Sequence, residues 1–427
     1  MSVAIQTKGW CPGALRPMLS GDGYLVRLRI SGGVVSASAA MAVADCAQRY
    51  GNGLLDLSAR ANLQLRGVHE ASLPALVEAL QSRGLIDESA EAEAVRNVLA
   101  SPLAGLSPDA AFDIRPYVRA LEQRLVRDEA LHGLPSKFGF IVDDDGGLSL
   151  SGVGADIRFV ALHDQCAPRF TVSLAGCDEA AVIEAAELPD VAARLSIAFL
   201  EQARKCEVVP RRMGALIASR GAAVIWRAAG LAPTPQPSRA VTPPHPLGHH
   251  TLGASDFLGL GFAFGRVSAR DLAWLADMAQ AHGSGEMRLT PWRAILLPGV
   301  DAKAAQHILS QASDAFITDP NDARLAVIAC PGAPACASAD APTQDDALSL
   351  APLARALSPS GVTLHVSGCA KGCARPHASA VTLVARAGLY DLIAQGRASD
   401  TPLQQGLDLT ACRAALRAMA ATEGARP

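Results

Sequence analysis

Apolar and polar positions alternate or recur along this chain in a pattern that appears twice. A β-type run spans Tyr24 to Ile30, and a matching one spans Phe257 to Phe264. Each is followed by a glycine turn and a serine, Ser36 or Ser268, at a helix N-cap position. An Ala-rich run of helical character then extends to Tyr50 or His282, where Gly51 or Gly283 breaks it. A second strand ends at a Gly-Val pair in both copies, and a further helix is predicted over Leu73 to Arg83 and Ala302 to Ala312. Strand–helix–strand–helix makes half of an α+β sandwich.

The two runs are copies of one another. Residues 25–68 align without a gap on residues 257–300, with 15 of 44 positions identical. Gly33/Gly265, Val35/Val267, Ser36/Ser268, Gly51/Gly283, Gly53/Gly285 and Gly67/Gly299 are among them. Chance would give roughly a tenth, so the pattern reads as a duplication. The likeness continues downstream. Residues 96–102 parallel 325–331, and Leu134 to Val142 parallels Ser358 to Val366. The Pro-rich stretch Pro233 to Pro246 reads as an extended linker between the halves.

The copies differ in chemistry. The first carries Arg27, Arg29, Arg60, Gln64 and Arg66, where the second has Gly259, Gly261, Trp292, Leu296 and Pro298. Period-two spacing puts Arg27 with Arg29, and Arg60 with Gln64 and Arg66, on common strand faces. Arg96 and Lys137 extend the cationic set. Arginine pairs with carboxylates in bidentate fashion and lysine supplies a point charge, so the set reads as an anion-binding surface. The simpler alternative is a solvated sheet face.

The second copy carries thiols instead. Cys330 and Cys336 are spaced C-x5-C, and Cys369 and Cys373 C-x3-C. Cys330 stands where the first copy has Ser101. Each pair follows a short apolar run, so the sulfurs can converge at the ends of two buried strands. An iron–sulfur cluster, a structural zinc and a pair of buried core thiols all remain open from the spacing. Cys11, Cys46, Cys166, Cys177, Cys206 and Cys412 have no ligand spacing and are expected in the core.

Composition excludes more than it selects. The chain has 427 residues, half of them apolar, which suffices for two to four domains. A net charge of -3 argues against a nucleic-acid partner. No apolar run reaches membrane-spanning length, and the N-terminus lacks the pattern of a secretory signal. With ten cysteines and no such signal, a cytoplasmic location with thiols free or metal-bound is expected. No GxGxxG follows a strand, so no dinucleotide fold is expected.

With the repeat and both constellations placed, the chain resembles the nitrite/sulfite reductase superfamily from about Leu15 to Leu389. The resemblance implies an α+β fold of duplicated nitrite/sulfite reductase-like architecture. Two ferredoxin-like half domains (1–80 and 251–313) would pair with two larger α+β domains (81–232 and 314–427) around a tetrapyrrole site, with 233–250 as linker. It implies a [4Fe-4S] cluster on Cys330, Cys336, Cys369 and Cys373. It implies macrocycle contacts from Arg60 and Gln64, and small-anion contacts from Arg27, Arg96 and Lys137; Arg66, on the same expected strand face as Gln64, completes the expected substrate-binding set.

The chain departs from the reductases in two motifs. Gly139 stands where they carry a second lysine, and C-A-K-G-C replaces C-P-N-x-C. These departures resemble the oxygen-dependent branch of the superfamily, which acts on the cobalamin precursor precorrin-3A. That resemblance implies hydroxylation at C20 by O2 with γ-lactone formation. It also implies a mononuclear non-haem iron and reduced nicotinamide as electron donor, through a separate reductase. His163, His245, His249, His250, His365 and His377 are candidate ligands for that iron. The alternatives are a sirohaem- and [4Fe-4S]-dependent sulfite or nitrite reductase, and a non-catalytic tetrapyrrole-binding or zinc-structured protein.

Overall fold

The computed structural model describes residues 11–164, 167–236, 245–252, 256–357 and 363–423. Four sheets carry the fold. The first half builds an antiparallel sheet from Met18–Ser20, Gly23–Leu28, Leu54–Leu57 and Leu63–Val68, backed by the helix Ala37–Tyr50. The second half repeats it with Gly248–His250, Phe257–Phe262, Glu286–Leu289 and Ala294–Pro298, backed by the helix Ala269–His282.

The halves are stitched together by exchanged strands. Val34–Ser36 from the first half pairs with Glu286–Leu289 of the second. Arg266–Ser268 from the second pairs with Leu54–Leu57 of the first. The two helices pack on each other inside one shared core that includes Val43, Ala47, Leu272 and Ala276. Each helix begins at its serine cap: Ser36 accepts from the Ala39 N–H and Ser268 from the Asp271 N–H. Gly51 and Gly283 close them for a steric reason. A Cβ there would lie 2.4 Å from the Arg66 carbonyl or 2.7 Å from that of Pro298.

Sequence periodicity merged two strands into one. The run before the Gly-Val pair is a hairpin whose tight turn holds Ala61 at φ +52, matched by Arg293 at φ +59 in the second copy. Arg60 therefore sits in a turn and does not share a strand face with Gln64 and Arg66. The linker is also shorter than expected. Thr234–Pro235 pairs with the strand Glu179–Glu184, and Gly248–His250 is an edge strand on Phe257–Phe262. Residues 237–244 of that stretch lie outside the described residues.

The two remaining sheets repeat a parallel core. In one, Phe140–Asp143 lies between Val98–Ala100 and Ile157–Ala161, with Leu99 opposite Ile141. In the other, Leu364–Ser367 lies between Val327–Ala329 and Ser379–Arg386, with Ile328 opposite His365. Helices Arg115–Arg127 and Leu188–Ala203 cover the first, and Thr343–Leu357 and Leu409–Glu423 cover the second. No helix among the described residues is long and apolar enough to cross a membrane.

Candidate functional site

The cysteine centre is built at the ends of two parallel strands. Cys330 continues the strand Val327–Ala329, its N–H directed at the Val366 carbonyl. Its sulfur accepts the Gly368 N–H at 3.2 Å, and its carbonyl accepts from Thr343 Oγ1 at 2.7 Å. Two glycines shape the loops. Gly332 (φ +71) would drive a Cβ to 2.6 Å from Thr343 N, and Gly372 (φ +59) turns the chain between Cys369 and Cys373.

All four cysteines are free thiols, Cys330 buried and Cys373 exposed. Burial raises the Cys373 pKa, and Cys369, Cys330 and Cys336 raise it further. The four are thus close enough to repel one another as thiolates. Yet no three His, Cys, Asp or Glu side chains among the described residues gather about one metal ion. A tetrahedral zinc needs every sulfur about 2.3 Å from one point. Four cysteine sulfurs carried on two loops are the donor set of an iron–sulfur centre.

The cationic half is tied directly to this loop. The Ala335 carbonyl, next to Cys336, accepts from Ser20 Oγ at 2.6 Å, Gly21 N at 3.1 Å and Arg66 Nη2 at 3.1 Å. Arg66 is 2% exposed and forms ion pairs with Asp22 and Asp56, both at 2.9 Å. Asp56 also pairs with Arg266 from the other half at 3.0 Å. Arg66 thereby ties the two halves together at this seam.

Arg96 is also held by acids. It holds Asp87 at 2.7 Å, approaches Glu122 at 3.6 Å and donates to the Arg29 carbonyl at 2.8 Å. Arg66 and Arg96 therefore each pair with acids from other elements. Sequence spacing gave no sign of Asp22, Asp56 or Asp87 as partners, since each comes from another element.

The remaining cations form no ion pair among the described residues, although Glu93 lies near Arg27 and Arg29, and Asp156 near Arg60. Arg27 donates twice to Gln64 Oε1, at 2.8 and 2.6 Å, across paired strands. Burial lowers its pKa, while the neighbouring Cys11 opposes the shift. Arg29 is 6% exposed with an unpartnered Nε, and burial followed by repulsion from Arg27 pulls its pKa to about 10. It lines a cavity of about 650 Å³ with Cys11, Arg16, Glu93, His132 and Ser136. Cys11 is thus half-buried in a cavity wall, while Cys177 and Cys206 are half-buried and only Cys46 and Cys412 are core. Cys166 lies outside the described residues.

Arg60 and Lys137 converge on the loop beside Ser136. Lys137 is exposed. Arg60 keeps a buried Nη1 without a partner, and burial lowers its pka, followed by repulsion from Arg212. Its guanidinium lies over Gly139: a Cβ there would sit 2.8 Å from Arg60 Nη2 and 2.9 Å from Asn97 Nδ2. Gly139 is therefore the space that Arg60 fills.

The histidines stay apart. His163 faces Asp145 at 3.8 Å, His249 faces Asp256 at 3.2 Å, and His250 stacks on Phe257. His245 and His377 are exposed. His365 is fully buried and neither ring nitrogen has a partner. Burial and then Arg375 lower its pKa to about 4. The described residues do not assemble an iron site from this set.

Comparison with known proteins agrees with this geometry. The nitrite/sulfite reductase ferredoxin-like half domain matches residues 16–83 and again 253–313. The solved structure of the Mycobacterium tuberculosis NirA protein has the same fold, with a TM-score of 0.72 at 21% identity, covering 90% of this chain and 77% of that one. The twice-matched half domain and the shared fold give the chain a duplicated nitrite/sulfite reductase-like architecture. A ferredoxin–nitrite reductase of Synechococcus elongatus is 27% identical over 86% of this chain and 77% of its own length. A precorrin-3B synthase of Sinorhizobium sp is 34% identical over 94% of this chain and 86% of its own length. The chain belongs to the precorrin-3B synthase family and is an oxidoreductase.

Proposed function

We propose that the protein hydroxylates precorrin-3A at C20 with O2 and closes the γ-lactone with the ring A acetate. The observation that carries this reading is the family membership, at higher identity and coverage than the nitrite reductase relative. The site supports it at one point in particular. Where a reductase would need a second lysine for a small anion, Gly139 leaves room for Arg60. A guanidinium with a free N–H suits a peripheral carboxylate of a large macrocycle.

The chain's own residues have distinct tasks in this reading. Arg60, Lys137 and Arg27 with Gln64 hold substrate carboxylates, and Arg29 adds positive potential to the cavity wall. Cys330, Cys336, Cys369 and Cys373 hold a [4Fe-4S] cluster, which supplies electrons one at a time when bound. Those electrons come from reduced nicotinamide through a separate reductase. The mononuclear iron implied by the resemblance has no three-ligand set among the described residues, and no step is assigned to it.

The test is turnover of precorrin-3A by anaerobically purified protein, then exposed to 18O2 with a reducing system. The expected product carries one labelled oxygen atom. The protein should contain about four irons with sulfide and show no sirohaem absorption bands. Sirohaem bands with sulfite or nitrite reduction would establish the reductase alternative in its place.

A further inference from the structure

His365 is the anomaly that this reading leaves unexplained. It is fully buried, both ring nitrogens lack partners, and no carboxylate contributes to its electrostatics. Buried polar groups are almost always hydrogen-bonded, and an orphaned one needs an explanation. The neighbouring hydroxyl does not help: Thr382, its register partner, gives its Oγ1–H to the Gly396 carbonyl at 2.8 Å.

The ring faces the cysteine loop. A Cβ at Gly372 would lie 3.7 Å from His365 Cε1. Cε1 is the carbon between Nδ1 and Nε2, so the edge bearing both nitrogens is turned toward the turn joining Cys369 and Cys373. The duplicated copy shows that packing does not demand a histidine here. Ile141 holds the equivalent position, opposite Leu99 as His365 is opposite Ile328, and it joins the apolar core.

We propose that His365 is a positioning residue for the cluster, its N–H donating to a cysteine sulfur or cluster sulfide and raising the reduction potential. The proposal rests on the cluster reading above. A neutral imidazole carries one N–H in either tautomer. Hydrogen bonds to the sulfurs and local charge are the levers that set such potentials. Arg375 and Arg293 add positive charge on the same side: Arg293 donates to the Val327 carbonyl at 3.1 Å, three residues before Cys330. Neither arginine forms an ion pair with an acid among the described residues, so both charges are available to an anionic centre on this loop.

The test is a redox titration of the holoprotein, followed by electron paramagnetic resonance, for His365→Ile and His365→Asn. The first installs the residue that the other copy uses; the second keeps an N–H donor. His365→Ile should retain iron and sulfide yet show an oxidised-to-reduced ratio about tenfold higher at a fixed ambient potential, a shift of about 59 mV for one electron. His365→Asn should stay within about threefold of the parent, a shift of about 28 mV or less. A parent-like titration of His365→Ile overturns the proposal, as does equal loss of iron from both variants, which would mark the ring as filler. Absence of iron and sulfide from the parent would instead overturn the cluster reading itself.

Discussion

The two parallel-stranded sheets share a register but not a chemistry, and their differences fall at a few equivalent atoms. In the first, Ser101 directs its N–H at the Val142 carbonyl, and its Oγ accepts the Asp144 N–H at 2.9 Å. In the second, Cys330 directs its N–H at the Val366 carbonyl, and its Sγ accepts the Gly368 N–H at 3.2 Å. The same backbone geometry presents a hydroxyl in one copy and a thiol in the other. Ser101 is then tied down by Asp143 at 2.9 Å, whereas Cys330 has no acid on its sulfur among the described residues and lies near enough to Cys373 to raise that thiol's pKa. On the proposed reading, exchanging one atom in this turn supplies one of the four cluster ligands.

Reversing that exchange should have the largest effect. Cys330→Ser restores the first copy's oxygen, a poor ligand for iron in a cluster. The variant should fold with unchanged far-ultraviolet circular dichroism but lose most iron and sulfide, and turnover with them. Full iron retention would break the comparison, because Cys330 would then be a buried thiol like Cys412. Cys373→Ser should behave alike.

The next largest effect concerns Arg66, whose counterpart is Pro298. Removing the guanidinium leaves Asp22 without its cation and Asp56 with Arg266 alone. Arg66→Met should destabilise the fold by about 3–5 kcal/mol, the usual cost of leaving a buried charge uncompensated. Thermal unfolding would read it. An unchanged melting temperature with weakened substrate binding would place Arg66 at the substrate site.

Arg60, opposite Trp292 in the pairing of copies, should affect binding with little change in stability. Arg60→Ala removes a charge-assisted hydrogen bond worth about 1.5–3 kcal/mol, so precorrin-3A should bind roughly 10- to 100-fold more weakly in a fluorescence titration. Gly139→Ala should weaken binding too, because its Cβ would displace Arg60. The double variant should be no worse than Arg60→Ala alone; additive losses would separate the two residues.

Much of this was legible in the sequence, for definite reasons. Glycines 51, 53, 67, 283, 285 and 299 mark turns and close approaches that backbone geometry imposes, so the repeat shows through. The paired serine caps appear where spacing put them. What stayed hidden depends on contacts between distant segments. The exchanged strands Val34–Ser36 and Arg266–Ser268 are three residues long, too short to show periodicity. The acids that pair with Arg66 and Arg96 come from other elements, so local pattern could not show those ion pairs. His365 stood out only as a possible ligand; its equivalence to Ile141 acquires meaning once the register is known.

The smallest effect tests the acid that the second copy lacks. Asp144 is 2% exposed, and Gly368 replaces it in the other sheet. Burial raises its pKa from 3.8 to about 6, only partly offset by the hydrogen bond from the Gly146 N–H. A carboxylic acid raised on folding binds its proton more tightly in the native state. Its ionisation therefore costs stability progressively from about pH 4 to 6, and fully above that. Asp144→Asn removes this penalty while keeping an oxygen for the Gly146 N–H, which Oδ1 accepts at 3.1 Å. The variant should gain on the order of 1–3 kcal/mol at pH 7–8 and little below pH 4. Urea denaturation at the two pH values would measure the difference. Equal effects at both would show that Asp144 is not held near neutrality by burial. The first copy's acidic turn would then carry no electrostatic cost relative to the glycine of the second.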